Sequence, residues 1–141
     1  MKFAEILDTI FKLPYLAISG KCKLDEASAL VTKNPQIRGI YVVDEAERLQ
    51  GYLSLGVLIR HVIASRHKPQ FHVRSLLSMI TANKVADLME RDIVCAHPYD
   101  SVESVLDRMV HRNIKQVPVV DEKQRIIAVM NILDLWNIIE K

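Results

Sequence analysis

The sequence predicts a mixed α/β fold of the α+β kind, made of two tandem repeats that each hold a small three-stranded sheet with flanking helices. The first observation is an internal repeat: the segment Ile37 to Glu45 returns as Ile114 to Glu122, a shift of 77 residues. The second is that apolar runs of strand length alternate with segments of helical apolar spacing. Because a half of this size can hardly cover both faces of its own sheet, we expect the two halves to pack together with pseudo-two-fold symmetry.

Each copy contains a predicted β-hairpin. Ile40 to Val43 and Val117 to Val120 are short apolar runs rich in β-branched residues, as strands are. Acidic residues follow each run, and a second apolar run begins a few residues later, which is typical of a hairpin. Shorter strands, Leu16 to Ile18 and Ile93 to Ala96, are predicted to complete the two sheets. Since the hairpin strands are nearly all apolar, we expect both faces of each sheet to be covered.

Helices are predicted on both sides of each hairpin. Asp100, three residues before Glu103, predicts a capping box at the start of one of them. Leading helices are predicted at Phe3 to Leu13 and at Lys84 to Met89. The predicted apolar faces of the other helices are Ala27, Leu30 and Val31, then Leu55, Leu58, Ile59 and Val62, then Val102, Val105, Leu106 and Met109, and finally Ile132, Leu135, Trp136 and Ile139.

The predicted domain division follows the repeat along the chain. Residues 1–64 form the first repeat with its leading helix, residues 65–81 are a connector, and residues 82–141 form the second repeat.

Composition excludes several functional classes. The 141-residue chain has 19 basic and 17 acidic side chains, a balance that gives no reason to expect nucleic-acid binding. No apolar run approaches the length of a membrane span, so no membrane association is expected. Cys22 and Cys95, the two cysteines, lack metal-site spacing and are expected to be reduced thiols of a cytoplasmic protein.

The chain is not expected to be an enzyme. It lacks a phosphate-binding glycine loop, an activated nucleophile and an acid–base pair, so no catalytic residue is assigned. His61, His67 and His72 are candidate metal ligands, but no pair lies four residues apart on one predicted helix, and no metal site is predicted.

The repeated motifs resemble those of cystathionine-β-synthase-type (CBS) repeats. The second copy reads Val117-Pro118-Val119-Val120-Asp121, followed by Asn131 and Asp134. The first reads Ile40-Tyr41-Val42-Val43-Asp44, followed by Ser54, with Val57 where the family has aspartate. Through Tyr52-Leu53-Ser54-Leu55 the first copy is also similar to the cytosolic CBS pair of MgtE-type magnesium transporters. The resemblance covers nearly the whole chain except the connector.

The resemblance implies a regulatory CBS pair, or Bateman module, that senses an adenosine-containing ligand in the cleft between its repeats. AMP, ADP, ATP and S-adenosylmethionine share the adenosine part, so the sequence does not choose among them, and no cofactor is required. A homodimer is implied, with the signal passing to the dimer mate or to an unknown regulated protein.

The resemblance assigns the ribose to Asp134 and the sugar or phosphate to Asn131. A carboxylate has enough lone pairs to accept from both ribose hydroxyls. Arg38 is a candidate phosphate contact. The opposite, apolar wall for the flat base would be Ala17, Ile18, Ile37, Ile40 and Tyr41.

A second, degenerate site is expected to be empty or less dependent on ribose contacts. Val57 cannot accept a hydrogen bond from a ribose, so one nucleotide per chain is expected in place of two. The residues of this second site would be Ser54, Ile93, Val94, Ile114 and Pro118.

Asn131 and Asp134 also allow a purely structural interpretation, without a nucleotide. Asn131 alone could cap the last helix, and Asp134 could serve as a favourable charge near its start. The chain would then be a ligand-free structural or dimerisation module, with Leu133, Trp136 and Ile139 chiefly forming an interface.

Overall fold

A computed structural model describes residues 1–66 and 83–140 of the chain, without the side chains of residues 65 and 66. Most of the predicted connector 65–81, with His67 and His72, lies outside the described residues. The helices and strands are β1 (Leu16–Ser19), α1 (Leu24–Thr32), β2 (Gly39–Val43), β3 (Leu49–Ser54), α2 (Leu55–Arg66), α3 (Val85–Leu88), α4 (Val102–His111), β4 (Gln116–Val120), β5 (Ile126–Asn131) and α5 (Ile132–Glu140).

The chain divides into two compact units. The first-repeat unit comprises Tyr15–Glu45 and Gln50–Arg91, and the second-repeat unit comprises Met1–Pro14, Ala46–Leu49 and Asp92–Lys141. Each unit therefore includes the segment that precedes the other repeat along the chain. The division predicted from the sequence did not anticipate this exchange, because it grouped each leading segment with its own repeat.

The first-repeat unit contains a three-stranded sheet in the order β1-β2-β3. Strands β1 and β2 are parallel, with Leu16 opposite Ile40 and Ile18 opposite Val42. Every residue of β2 is buried, so the sheet is covered on both faces at its central strand, whereas Ala17 and Ser19 of β1 are exposed. The core on one face consists of Leu24, Ala27, Val31, Ile40, Val42, Leu53, Leu58 and Val85.

A tyrosine cluster occupies the other face of this sheet. Side chains alternate between faces along a strand, so Tyr41 points away from the core that holds Ile40 and Val42. Its ring lies 6.2 Å from that of Tyr15, edge on, and 4.9 Å from that of Tyr52, measured between ring centroids. The Tyr52 ring also lies directly over Gly39, where a Cβ would overlap its hydroxyl.

We expect Gly39→Ala to destabilise the protein by about 1–3 kcal/mol, because the new methyl group forces the Tyr52 ring out of its packed position. Gly56→Ala is the matched control: no atom lies within 4 Å of its Cβ position in α2. There alanine should stabilise by about 0.5–1 kcal/mol through helix propensity. Chemical denaturation of both variants measures the difference, and equal stabilities would contradict the packing at Gly39.

The second-repeat unit contains the antiparallel hairpin β4-β5 and not the predicted three-stranded sheet. The predicted strand Ile93 to Ala96 reduces to a single parallel bridge between Ala96 and Val119. Ala96 donates to the Pro118 carbonyl at 2.9 Å and accepts from the Val120 N–H at 2.8 Å. The next rung would need an N–H at residue 118, and proline has none, so the ladder ends there.

The predicted helix Phe3 to Leu13 is also wrong as a continuous helix. The structure has a 3-10 turn at Phe3–Glu5, followed by a second turn in which the Ile10 N–H donates to the Ile6 carbonyl at 3.0 Å. Bonds to the second repeat fix the segment at both ends: Ala4 N–H to the Pro98 carbonyl and Leu13 N–H to the Val129 carbonyl, each 2.8 Å. The helical spacing of the apolar residues nevertheless identifies the buried ones, because Phe3, Ile6 and Ile10 lie in the core of this unit.

The remaining helices form where they are predicted, but the cap of α4 and the exposure of three apolar residues differ from the predictions. The whole predicted stripe of α4 is buried: Val102, Val105, Leu106 and Met109. The cap of α4 is Ser101, whose Oγ accepts from the Ser104 N–H at 3.2 Å. Asp100, the predicted cap, instead accepts from the His97 N–H at 2.9 Å. Leu30, Ile59 and Trp136, predicted on apolar faces, are exposed.

The two hairpin turns adopt the same strained backbone conformation. Glu47 and Gln124, equivalent under the 77-residue shift, have φ values of 67° and 65°, in the left-handed region. The turn residues Ala46–Leu49 belong to the second-repeat unit, where Leu49 N–H donates to the Gln124 carbonyl at 2.8 Å. The two repeats therefore share the backbone conformation of this turn as well as the sequence motif.

Candidate functional site

The first candidate residue, Asn131, lies where β5 passes directly into α5. Its Oδ1 accepts a hydrogen bond from the Leu133 N–H at 2.8 Å, so Asn131 caps the helix. This is the structural role that the sequence left open. The amide group of the side chain keeps its two N–H donors, because the bond to Leu133 uses only the oxygen.

Asp134 lies three residues after this cap, in the first turn of α5, and is partly buried. Within residues 1–66 and 83–140, no side chain or backbone group forms a hydrogen bond or ion pair with its carboxylate. The first turn of a helix is a position where a negative charge is favoured. Asp134 is thus an acceptor whose lone pairs remain available for a ligand.

The equivalent position in the first repeat carries no such acceptor. Ser54 Oγ accepts from the Val57 N–H at 3.3 Å and so caps α2, although it bonds the N–H three residues on, where Asn131 bonds the one two residues on. Val57 itself packs against the core of the first-repeat unit. The two repeats share the helix cap and differ in the carboxylate.

The predicted base wall of the first-repeat unit is divided between the two faces of its sheet. Ile18 packs against the core with Ile40, which is 1% exposed. Ala17 lies opposite Tyr41 in the parallel register, on the face of the tyrosine cluster. Ile37 is buried just before β2. The structure therefore does not bring these five side chains to one surface, and Ala17 is the exposed one among them.

Arg38, the candidate phosphate contact, is exposed and directly precedes β2. Its carbonyl accepts from the Leu55 N–H at 3.2 Å, which ties the strand to the start of α2. Its guanidinium has no partner among the residues that the structure describes. The backbone around Arg38 is thus held while its side chain remains available to an anion.

The residues of the degenerate second site contribute mainly to packing. Val94 is buried in the core of the second-repeat unit, and Ile114 packs against that core. Pro118 is buried within β4, and Ile93 is partly buried. Ser54 lies in the first-repeat unit, where its hydroxyl caps α2.

The two thiols do not resemble reactive cysteines. Burial raises the pKa of Cys22, and the neighbouring Glu26 carboxylate raises it further. Burial also raises the pKa of Cys95. Both thiols are free and are held in the protonated form, which is a poor nucleophile.

The described part of the chain contains no cluster of three or more histidine, cysteine, aspartate or glutamate residues able to hold a metal ion. Within the same residues, no helix is long and apolar enough to cross a membrane.

Sequence reasoning missed the partners of Tyr41. Tyr15 and Tyr52 surround it, and Gly39 makes room for the Tyr52 ring. Strict alternation along β2 and β3 would have placed Gly39, Tyr41 and Tyr52 on one face. The continuous apolar character of β2 concealed that alternation.

A sequence profile of the CBS domain matches residues 7–64 and 85–140, which is most of the chain and both repeats. The chain belongs to the CBS domain family. The resemblance noted in the sequence is thereby confirmed.

Two curated relatives match most of this chain over a small part of their own length. Inosine-5'-monophosphate dehydrogenase of Methanocaldococcus jannaschii is 28% identical over 105 residues, 74% of this chain. The magnesium transporter MgtE of Thermus thermophilus is 29% identical over 101 residues, 72% of this chain. The matched region spans only 18% of the length of either relative.

Solved structures of CBS pairs share the fold. The CBS pair of protein MJ0100, in complex with 5'-methylthioadenosine and S-adenosyl-L-methionine, superposes with a TM-score of 0.67 at 21% identity, over 99% of this chain and 96% of that one. CBSX2 in complex with AMP gives 0.70 at 17% identity, covering 99% and 96%. The cytosolic domain of the Mg²⁺ channel MgtE in complex with ATP gives 0.67 at 26% identity, covering 88% of this chain and 44% of that one.

Proposed function

We propose that this chain is a regulatory CBS pair that binds one adenosine-containing ligand and uses Asp134 to hold its ribose. The observation that carries the proposal is the Asp134 carboxylate, partly buried in the first turn of α5 and without a partner in the described residues. A partly buried acceptor that is left unpaired has a desolvation cost, which a ligand with hydroxyl donors would offset.

The chemistry of Asp134 suits a vicinal diol. Two adjacent hydroxyl groups can each donate to one carboxylate, and a hydrogen bond to a charged group contributes about 1.5–3 kcal/mol. Asn131 fixes the start of α5 through its bond to Leu133, so the direction of the Asp134 side chain is set by a capped helix. The amide N–H groups of Asn131 are the nearest donors in sequence for a sugar or phosphate oxygen.

We also propose ligand contacts from residues of the first-repeat unit, and a separate observation supports each of them. Ala17 is exposed on β1 and offers a small apolar surface to a flat base. Arg38 has an exposed guanidinium that could form a bidentate contact with a phosphate. Tyr41, Ile18, Ile37 and Ile40 would support this wall mainly from within, because each is buried or partly buried.

The ligands of similar proteins support the adenosine class. The CBS pairs described above were crystallised with AMP, with ATP, and with 5'-methylthioadenosine and S-adenosyl-L-methionine. The part common to these compounds is adenosine, the part that Asp134 would bind. We propose AMP, ADP, ATP or S-adenosylmethionine as regulatory ligand, with no metal or other cofactor required.

The module is proposed to regulate and not to catalyse. Its signal would pass to a dimer mate or to a regulated protein, which requires that the ligand bind two states of the module with different affinities. A homodimer is proposed because α5 exposes Leu133 and Trp136, which are 65% and 49% exposed. A cytoplasmic location is consistent with the two free thiols.

A thermal-shift screen tests the proposal. Purified protein is heated with AMP, ADP, ATP or S-adenosylmethionine. A ligand present at 100 times its dissociation constant, and bound only to the folded state, stabilises by about 2.7 kcal/mol. We expect a clear rise in Tm with at least one of these adenosine compounds. The absence of a shift with every adenosine compound would contradict the proposed function.

The alternative is a ligand-free dimerisation module. Exposed Leu133 and Trp136 on α5 favour it, since large apolar residues on one helix are typical of an interface. A protein that shows no shift in the screen and has the mass of a dimer by light scattering would support this alternative over ligand binding.

A further inference from the structure

The second-repeat unit contains a cavity of about 600 Å³ at the turn of the β4-β5 hairpin. It is open to solvent, and the residues that line it are Lys2, Ala4, Pro98, Tyr99, Asp121, Glu122, Lys123 and Arg125. A cavity of this size is in the range occupied by small organic ligands.

The cavity is distant from the Asp134 site along the same hairpin. Asn131 pairs with Gln116 at the open end of β4-β5, and Ile126 pairs with Val120 at the turn end. A strand advances about 3.3 Å per residue, so the turn lies on the order of 15–20 Å from the cap of α5. A ligand in the cavity would not compete with a nucleotide at Asp134.

Basic residues in the lining of the cavity outnumber acidic ones by one: Lys2, Lys123 and Arg125 against Asp121 and Glu122. No carboxylate among residues 1–66 and 83–140 pairs with the ammonium group of Lys2 or of Lys123. Both ammonium groups are therefore available to bind an anionic ligand.

Asp121 is fully engaged within the turn. Its Oδ1 accepts from the backbone N–H groups of Lys123 and Arg125, each at 2.9 Å. Its Oδ2 accepts from Arg125 Nε at 3.1 Å. The bond from the Arg125 backbone N–H is the largest cause that lowers the pKa of Asp121, with those from the Lys123 backbone and the Arg125 side chain adding to it. Asp121 is thus ionised and orients Arg125, whose terminal nitrogens have no partner in the described residues.

Tyr99 supplies an aromatic surface beside these charges. Its side chain is 65% exposed, although its ring stacks on that of His97 with centroids 5.2 Å apart and planes 14° apart. His97 is itself held by Asp100, at 3.4 Å from Nδ1, and by Gln124 Nε2, at 3.2 Å from Nε2. The Tyr99 ring is therefore packed against His97 on one face, while much of its area stays accessible to a ligand.

We propose that this cavity binds a small phosphate ester, with the phosphate between Lys2, Lys123 and Arg125 and the organic group on Tyr99. A guanidinium oriented through Nε presents its terminal N–H groups together, which is the geometry that matches phosphate oxygens. The ammonium groups add attraction that salt weakens, because they are exposed. The ester class is chosen over the free anion because the aromatic surface adjoins the charges.

Titration with phenyl phosphate, followed by the NMR signals of the full chain, tests this proposal. We expect saturable shifts at Tyr99 and Lys123, weaker binding of inorganic phosphate and none of benzyl alcohol. The double variant Lys2→Ala with Lys123→Ala should bind about tenfold more weakly. Glu122→Gln should bind more tightly than the parent, since it removes a like charge from the rim.

Two controls separate the cavity from general charge and from the nucleotide site. Lys12→Ala removes an exposed lysine of the same unit outside the cavity and should leave the affinity unchanged. Asp134→Ala should also leave it unchanged, so failure here and failure of the proposed nucleotide function are distinguishable. Lack of saturation by phenyl phosphate, equal affinity for inorganic phosphate, or unaltered binding by the double variant would each overturn the proposal.

Discussion

Asp134→Ala is expected to weaken adenosine-ligand binding about a hundredfold while leaving the fold intact. The variant removes the acceptor of the ribose hydroxyls, and losing one or two hydrogen bonds to a charged group costs about 1.5–3 kcal/mol each. The side chain has no partner within the described residues, so its removal breaks no internal bond there. Isothermal titration of parent and variant with the best ligand of the thermal screen measures the loss.

Two further variants define what the loss at Asp134 means. Asp134→Asn keeps the shape and one acceptor but loses the charge, and we expect an intermediate affinity. Asp107→Ala is the matched control, because Asp107 is an exposed helical aspartate, 72% exposed at its side chain. It should bind as the parent does. An Asp134→Ala protein that binds as tightly as the parent would show that the ribose is held elsewhere.

Phe3→Ala is expected to destabilise the protein by about 3–5 kcal/mol, the usual cost of removing a fully buried phenylalanine. Phe3 has no exposed surface and lies in the core of the second-repeat unit, far along the chain from its neighbours there. Total stabilities of proteins are about 5–15 kcal/mol, so this loss is a large share. Urea denaturation should show a lower midpoint.

Phe11→Ala is the matched control for Phe3→Ala. It deletes the same ring from the same leading segment, but Phe11 is 65% exposed, and the change should stay within about 0.5 kcal/mol. Equal effects at the two positions would contradict the packing of the leading segment in this unit.

The fold could be predicted largely because the sequence repeats. The recurrence of Ile37 to Glu45 placed both hairpins, and apolar spacing placed α1, α2, α4 and α5 within a few residues. The two predictions that were wrong, the strand Ile93 to Ala96 and the helix Phe3 to Leu13, concern segments held by hydrogen bonds to distant parts of the chain. The Ala96 bridge ends at Pro118, and the Phe3 segment bonds to Pro98 and Val129, neither of which local periodicity reveals.

The candidate site was predictable to a lesser degree. The position of Asn131 before α5 followed from the motif, and the cap is observed as one of the two alternatives. The base wall was proposed from apolar character, which does not tell the faces of a strand apart when both are buried. Ile40 and Tyr41 are adjacent in sequence and therefore point to opposite faces. The ligand-binding role of Asp134 stays a prediction, supported by its unpaired carboxylate.

The most direct measurement of the central claim is a calorimetric titration of the purified chain with AMP, ATP and S-adenosylmethionine. The account predicts saturable binding of at least one adenosine compound at one ligand per chain, since Val57 replaces the second aspartate. No heat with any adenosine compound, from a folded protein, would contradict the account, and two equal sites per chain would contradict the role given to Asp134.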